Sequence, residues 1–290
     1  MSAQPSDPAS GCCGLDGLGP KIVGGTEAGI DQYPWLALIE YEREHQIKLL
    51  CVGALISGRY VLTAAHCVVG PAMIKNIPKN VRLGEYDTEK ATDCVEFEGG
   101  DEGDKECTLG PVIIPIEHII THPDYKVYAR NFRNDIALLR LASIPEYTEF
   151  VRPICLPTVD STASFQGSER LYTAGWGDLS NTNSHTNIKQ HEKLLFNTLE
   201  DCQQAYNFPM RRVELWDHQM CAGGEAGKDA CRGDSGGPLM HYHQMNNTKS
   251  HFEVIGIVSF GVRPCGTGNV PGVYTKVFDY LPWIHSNIQP

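Results

Sequence analysis

Eight short apolar or alternating runs, at 35–41, 50–56, 60–64, 112–120, 136–141, 171–175, 254–260 and 272–277, are separated by turn-forming residues, and this rhythm constrains the fold most. Runs of this length with Gly, Pro, Asn and Asp between them fit the strands of an all-β sandwich or barrel. Helical periodicity is confined to 199–205 and to 277–285, where Val277, Tyr280, Leu281, Trp283 and Ile284 make one apolar stripe. Pro282 suits that second helix only near its first turn. A chain of 290 residues, 41% hydrophobic, can bury a sizeable core.

Eleven cysteines are spread along the chain, mostly without the close spacing of zinc or redox motifs. They indicate structural disulfides and an oxidising compartment, so the protein is expected to be secreted. The first residues have neither a basic nor an apolar segment of the kind a signal peptide needs, so the chain reads as part of a longer secreted protein. Residues 1–20, rich in Pro, Gly, Ser and Asp, read as a flexible leader, with folded structure beginning near Ile22. No apolar stretch reaches the length of about 18 residues that a spanning helix requires. A net charge of -11 without any basic stripe excludes a general nucleic-acid binder. The excess concentrates between Glu85 and Glu106, where ten acidic residues face only Lys90 and Lys105.

The segment 229–239 brings a candidate nucleophile, Ser235, together with Asp229, Cys231, Asp234 and glycines at 233, 236 and 237. Flanking glycines allow a tight turn that frees the hydroxyl and nearby backbone N–H groups for a reacting carbonyl. A serine hydroxyl needs a base, and the base an orienting partner. His66, among small residues after the run at 60–64, is a candidate base, and Asp135, at the entrance of the run at 136–141, a candidate orienting acid. Either motif alone is weak.

Together, in the order His66, Asp135, Ser235, these motifs resemble the trypsin-like (chymotrypsin-fold) serine proteases over residues 22–290. The resemblance implies two six-stranded antiparallel β-barrels with the active site between them and a C-terminal helix, preceded by a leader at 1–21. It makes Ser235 the nucleophile, His66 the general base and acid, and Asp135 the group that fixes the imidazole, with the N–H groups of Gly233 and Ser235 as oxyanion hole. Asp229 matches the base of the primary specificity pocket and implies protein substrates cut after Arg or Lys. Ser259, Gly261 and Gly272 match its walls, with Phe260 where many relatives carry Trp. Ala230, lacking a hydroxyl to solvate a lysine ammonium, shifts the expectation toward Arg.

By the same resemblance, Lys21-Ile22 is an activation site. The Ile22 ammonium released by cleavage would pair with Asp234 and complete the oxyanion loop. An activation lysine with an Arg-preferring pocket implies a separate upstream activating protease and hence a cascade, with a serpin-type inhibitor as a further partner. The implied disulfides are Cys51–Cys67, Cys202–Cys221 and Cys231–Cys265, with Cys155 paired to Cys13 or Cys12, Cys13 being favoured. Cys94 and Cys107, flanking the acidic stretch, resemble an extra bridge of arthropod clip-domain proteases, which act in innate-immune and developmental cascades. Residues 1–20 cannot hold the six cysteines of a clip module, and pairing leaves Cys12 odd. Residues 82–87 resemble the start of the family's calcium loop, with Glu85, Asp87, the Lys90 carbonyl and Asp93 as expected Ca²⁺ ligands. His241 and His243 would share one strand face and are expected to be solvated rather than to hold zinc. Asn246 begins a glycosylation sequon. Two alternatives to a cascade protease are a non-catalytic homologue acting as cofactor or scaffold and a digestive or venom trypsin.

Overall fold

The computed structural model describes residues 4–16, 27–96, 105–165, 167–177, 186–207, 213–228, 230–231, 233–246 and 249–289. Strands β1 (Leu36–Arg43), β2 (Gln46–Leu55), β3 (Tyr60–Thr63) and β4 (Ile77–Leu83) are followed by a separate two-stranded sheet, β5 (Cys94–Glu96) with β6 (Lys105–Cys107), and then by β7 (Val112–Thr121) and β8 (Ala137–Leu141). The six long strands close an antiparallel barrel in the order β1-β2-β3-β8-β7-β4. A second closed barrel, β10-β11-β14-β13-β12-β9, contains β9 (Arg170–Gly175), β10 (Gln190–Asn197), β11 (Gln219–Gly223), β12 (Pro238–Asn246), β13 (Lys249–Phe260) and β14 (Pro271–Lys276). The expected all-β, two-barrel architecture is thus present.

The apolar runs became strands because closure buries both their ends and their inward faces. Trp35, Ile39, Leu55, Leu62, Leu83 and Leu138 are at most 1% exposed, and the phenol of buried Tyr41 donates to the Cys67 carbonyl at 2.8 Å. Strands that the apolar rhythm does not reveal carry polar residues on their other face. In β4 only Val81 and Leu83 are fully buried, while Arg82 reaches the carboxylates of Glu40 and Glu85, each at 2.9 Å. Helix α1 (Leu199–Ala205) forms as expected, with the Thr198 hydroxyl accepting from the Asp201 N–H. The 277–285 stripe splits into a 3₁₀ turn at Val277–Tyr280 and helix α2 (Leu281–Asn287), which places Pro282 in the first turn.

The leader differs from its expectation as a flexible linker, since residues 4–16 dock on the barrels. Gln4 donates to the Ile288 carbonyl at 3.2 Å, Gly14 exchanges backbone contacts with Pro153 and Phe252, and the Asp16 carboxylate accepts from the Tyr33 N–H at 2.8 Å. Composition conceals this because the contacts, from backbone groups, two polar side chains and one disulfide, are made with distant parts of the chain. All five implied bridges form, with Cys13 as the partner of Cys155, and Cys12 is free and exposed. His241 and His243 do share a face of β12, and they are only partly solvated. Their side chains are 13% and 27% exposed, they bond each other at 2.9 Å, and His243 meets Glu253 of β13 at 3.0 Å.

Candidate active site

The cleft takes its parts from both barrels. His66 sits on a single 3₁₀ turn, Ala65–Cys67, directly after β3, and Cys67 ties that turn to β2 through Cys51. Asp135 precedes β8 and is fully buried. One carboxylate oxygen accepts the His66 backbone N–H at 2.9 Å and the other meets His66 Nδ1 at 2.8 Å. Because a carboxylate oxygen can only accept, Nδ1 carries the proton, and in the neutral ring Nε2 keeps a lone pair able to take one. Burial pushes the imidazolium downward, yet the charge and hydrogen bond of Asp135 outweigh it and raise the His66 pKa above the usual histidine value.

Asp135 has further partners that sequence reasoning missed. The Ser259 hydroxyl donates to its Oδ2 at 2.5 Å, and the Thr275 hydroxyl donates to its main-chain carbonyl at 2.9 Å. Besides lining the cavity, Ser259 thus steadies Asp135 through its hydroxyl. The neighbouring Asn134 adopts a left-handed conformation, φ 58°, and accepts from Tyr280 at 3.0 Å, so the chain end helps fix the turn carrying Asp135. A serine near β14's partner strand and an Asn before the acid were the only signals available.

Ser235 is positioned through the backbone. Its carbonyl accepts the Val52 N–H from β2 at 2.9 Å, and the next two residues, Gly236 and Gly237, both bond to Val258 of β13. Gly236 is obligatory, since at φ 77° a Cβ would lie 2.2 Å from Thr63 Oγ1 and 2.6 Å from the Val52 carbonyl. Neither the Gly233 nor the Ser235 N–H has an acceptor among the described residues, which leaves two donors beside the hydroxyl. The Asp234 carboxylate lies in a cradle, accepting from Gly177 N–H at 2.8 Å and Cys231 N–H at 3.0 Å. A Cβ on Gly177 would come within 2.3 Å of that carboxylate.

A cavity of about 260 Å³ opens beside Ser235 and His66, walled by Ala230, Val258, Ser259, Gly261 and Gly272. Sequence reasoning missed Phe132, which stands edge-on to His66 at 6.0 Å and stacks on Phe260 at 5.2 Å. Asp229, Lys21 and Ile22 lie outside the described residues. Among the acidic-loop residues, Glu85 pairs with Arg82 and Asp87 with Lys90 at 2.8 Å. Asp93 Oδ2 accepts from the Asp87 N–H at 3.2 Å, and its Oδ1 is buried without a hydrogen-bond partner. Burial raises the Asp93 pKa, its hydrogen bond with Asp87 opposes this, and the Asp87 charge adds to the rise. The only three His, Cys, Asp or Glu donors that converge within 4.8 Å among the described residues belong to Cys51, His66 and Cys67, and the two thiols are spent in a disulfide.

Comparison with known proteins agrees with this geometry. The Trypsin family model matches residues 22–284. The phenoloxidase-activating enzyme of Bombyx mori is 49% identical over 100% of this chain and 66% of its own length. Serine protease ea of Drosophila melanogaster is 44% identical over 97% of this chain and 71% of its own. The crystal structure of the Drosophila Grass clip serine protease of the Toll pathway superposes with a TM-score of 0.76 at 34% identity, covering 94% of this chain and 73% of that one. The chain thus spans about two thirds of the length of the curated relatives it matches. With a matching family model, a matching double barrel and a buried acid, base and serine at one cleft, the chain belongs to the trypsin family of serine endopeptidases.

Proposed function

We propose that this chain is the catalytic part of an extracellular endopeptidase that cuts protein substrates after Arg, or Lys, by limited proteolysis in an immune or developmental cascade. The Nδ1–Asp135 bond carries the reading, because it leaves His66 Nε2 as a base while His66 and Ser235 line one cavity. Ser235 Oγ attacks the scissile carbonyl carbon as Nε2 takes its proton. The N–H groups of Gly233 and Ser235 hold the oxyanion, and His66 returns the proton to the leaving amine. His66 then deprotonates the water that releases the acyl group from Ser235. Asp229 receives the basic side chain, and Ala230 tilts the choice toward Arg.

Activation follows cleavage after Lys21 by an upstream protease, when the Ile22 ammonium pairs with Asp234. The Cys13–Cys155 bridge and the docked residues 4–16 would keep the leader attached afterwards. The relatives' names, phenoloxidase-activating enzyme and melanization protease 1, support an immune cascade. Five disulfides support secretion. A serpin-type inhibitor would be the natural control. In the test, protein cut after Lys21 hydrolyses an Arg peptide amide, whereas uncut protein and cut Ser235→Ala do not. No Ser235-dependent cleavage by cut protein would transfer the reading to a non-catalytic scaffold.

Calcium belongs to the same proposal. The buried, unpartnered Asp93 Oδ1 fits a cation, with Glu85, Asp87 and the Lys90 carbonyl as the other ligands once the Lys90 ammonium leaves Asp87, Arg82 releases Glu85, and these donors, which do not converge in the present arrangement, close on the ion. Bound there, the ion would supply charge neutralisation that stiffens the loop and no step of the reaction. Ca²⁺ is expected to raise the melting temperature relative to chelator, and Asp93→Asn to abolish the shift; equal melting of wild type with and without Ca²⁺ would remove the site.

A further inference from the structure

The rim of the cavity beside Ser235 carries a cation that the reaction does not use. Arg263 lines the cavity next to Gly261 and Val262. Its side chain is exposed and pairs with no carboxylate among the described residues. Its backbone is nonetheless held in place. Cys265, two residues on, is bridged to Cys231, the Pro264 carbonyl accepts from Thr267 at 2.6 Å, and the Gly266 carbonyl accepts from Gly227 at 2.9 Å. A guanidinium on a pinned backbone is a preorganised partner for a planar carboxylate.

We infer that Arg263 selects substrates carrying an acidic side chain two residues before the residue whose bond is cut. An extended substrate alternates its side chains. If the basic side chain enters the cavity, the preceding one turns toward His66 and Phe132. Phe132, stacked on Phe260, walls that side. The side chain before that returns to the cavity's face about 6.6 Å farther along, beyond Gly261, where the rim residue is Arg263. A carboxylate at this point meets the guanidinium, and a second basic residue is repelled. The inference rests on the proposed cleavage after Arg or Lys and adds to it the substrate's second charged position.

An exposed pair of this kind changes affinity by about 1.5- to 5-fold. Protein cut after Lys21 is assayed on three peptide amides ending in Arg and differing only in Asp, Ala or Lys two residues earlier. The expected order of kcat/KM is Asp, Ala, Lys, with about a 10-fold span between the extremes, carried mainly by KM. Arg263→Ala should collapse the span toward unity and Arg263→Glu should invert it. At 1 M salt the span should shrink, because the screening length falls to about 3 Å. Equal rates on the three peptides, or a span that survives Arg263→Ala, would overturn the role of Arg263 while leaving cleavage after Arg intact. Failure to cut any of them would instead overturn the endopeptidase reading itself.

Discussion

In the first barrel His66, the proposed base, is held mainly by side chains, whereas in the second Ser235, the proposed nucleophile, is held by backbone. His66 and Asp135 are fixed by two mutual bonds and by hydroxyls from Ser259 and Thr275. Ser235 is fixed by a main-chain bond to Val52 and by the two glycines after it, both bonded to Val258, while the neighbouring Asp234 carboxylate accepts from the Gly177 and Cys231 N–H groups. The difference teaches where control can be exerted. Side-chain bonds in a buried pocket persist once both barrels have packed, since Ser259 and Thr275 come from the second, whereas a glycine-rich backbone loop changes shape at small cost.

The comparison breaks most visibly at Asp135. Asp135→Asn should lower kcat about 10⁴-fold, as the wrong imidazole tautomer results. It should also shift the acid limb of kcat/KM. His66 must be neutral to act, and Asp135 raises its pKa, so in the wild type activity begins to fall at a pH above the usual histidine value of about 6.5. In the variant the limb should move to lower pH; an unmoved limb would mean that Asp135 does not govern His66.

A smaller effect is expected at the backbone-locked side. Gly236→Ala places a methyl against Thr63 and Val52 in a left-handed position and should destabilise the fold by more than about 2 kcal/mol in thermal or denaturant unfolding. Near-wild-type stability would show that the nucleophile loop is not clamped to the first barrel.

The smallest effect concerns acid stability of the second barrel, away from the cleft. Burial pushes the Glu253 carboxyl up, but hydrogen bonds and charge from His243 and His251 bring it down to about 2. With the folded value below the unfolded value of about 4.3, its stabilisation is complete above that pH and is lost as pH falls toward the folded value. Glu253→Gln should flatten the stability profile in this window, measured by chemical denaturation at successive pH values. An unchanged slope would remove Glu253 from the balance.

The chemistry was legible because His66, Asp135 and Ser235 each stand in a local motif, and the fold was legible wherever a strand buries a continuous apolar run. β10 was not, because its Gln, His, Glu and Lys residues face partly buried surroundings. The segment β12 was hidden by its histidines, whose partners Glu253 and His251 lie across the hairpin on β13. The leader's docking depends on main-chain bonds, on Gln4 and Asp16 and on the Cys13 bridge, whose partners lie far along the chain, so its composition does not reveal it.

The sequence by itself determined which groups can do chemistry and which runs must be buried, since residue type sets nucleophilicity, charge and hydrophobicity. Only the tertiary structure decided how those groups are held. Ser259 reaches Asp135 across 124 residues and Arg263 comes to the rim of the serine's cavity. Closing two barrels fixes such distances, and no local pattern encodes a hydrogen bond whose donor and acceptor meet only after both have folded.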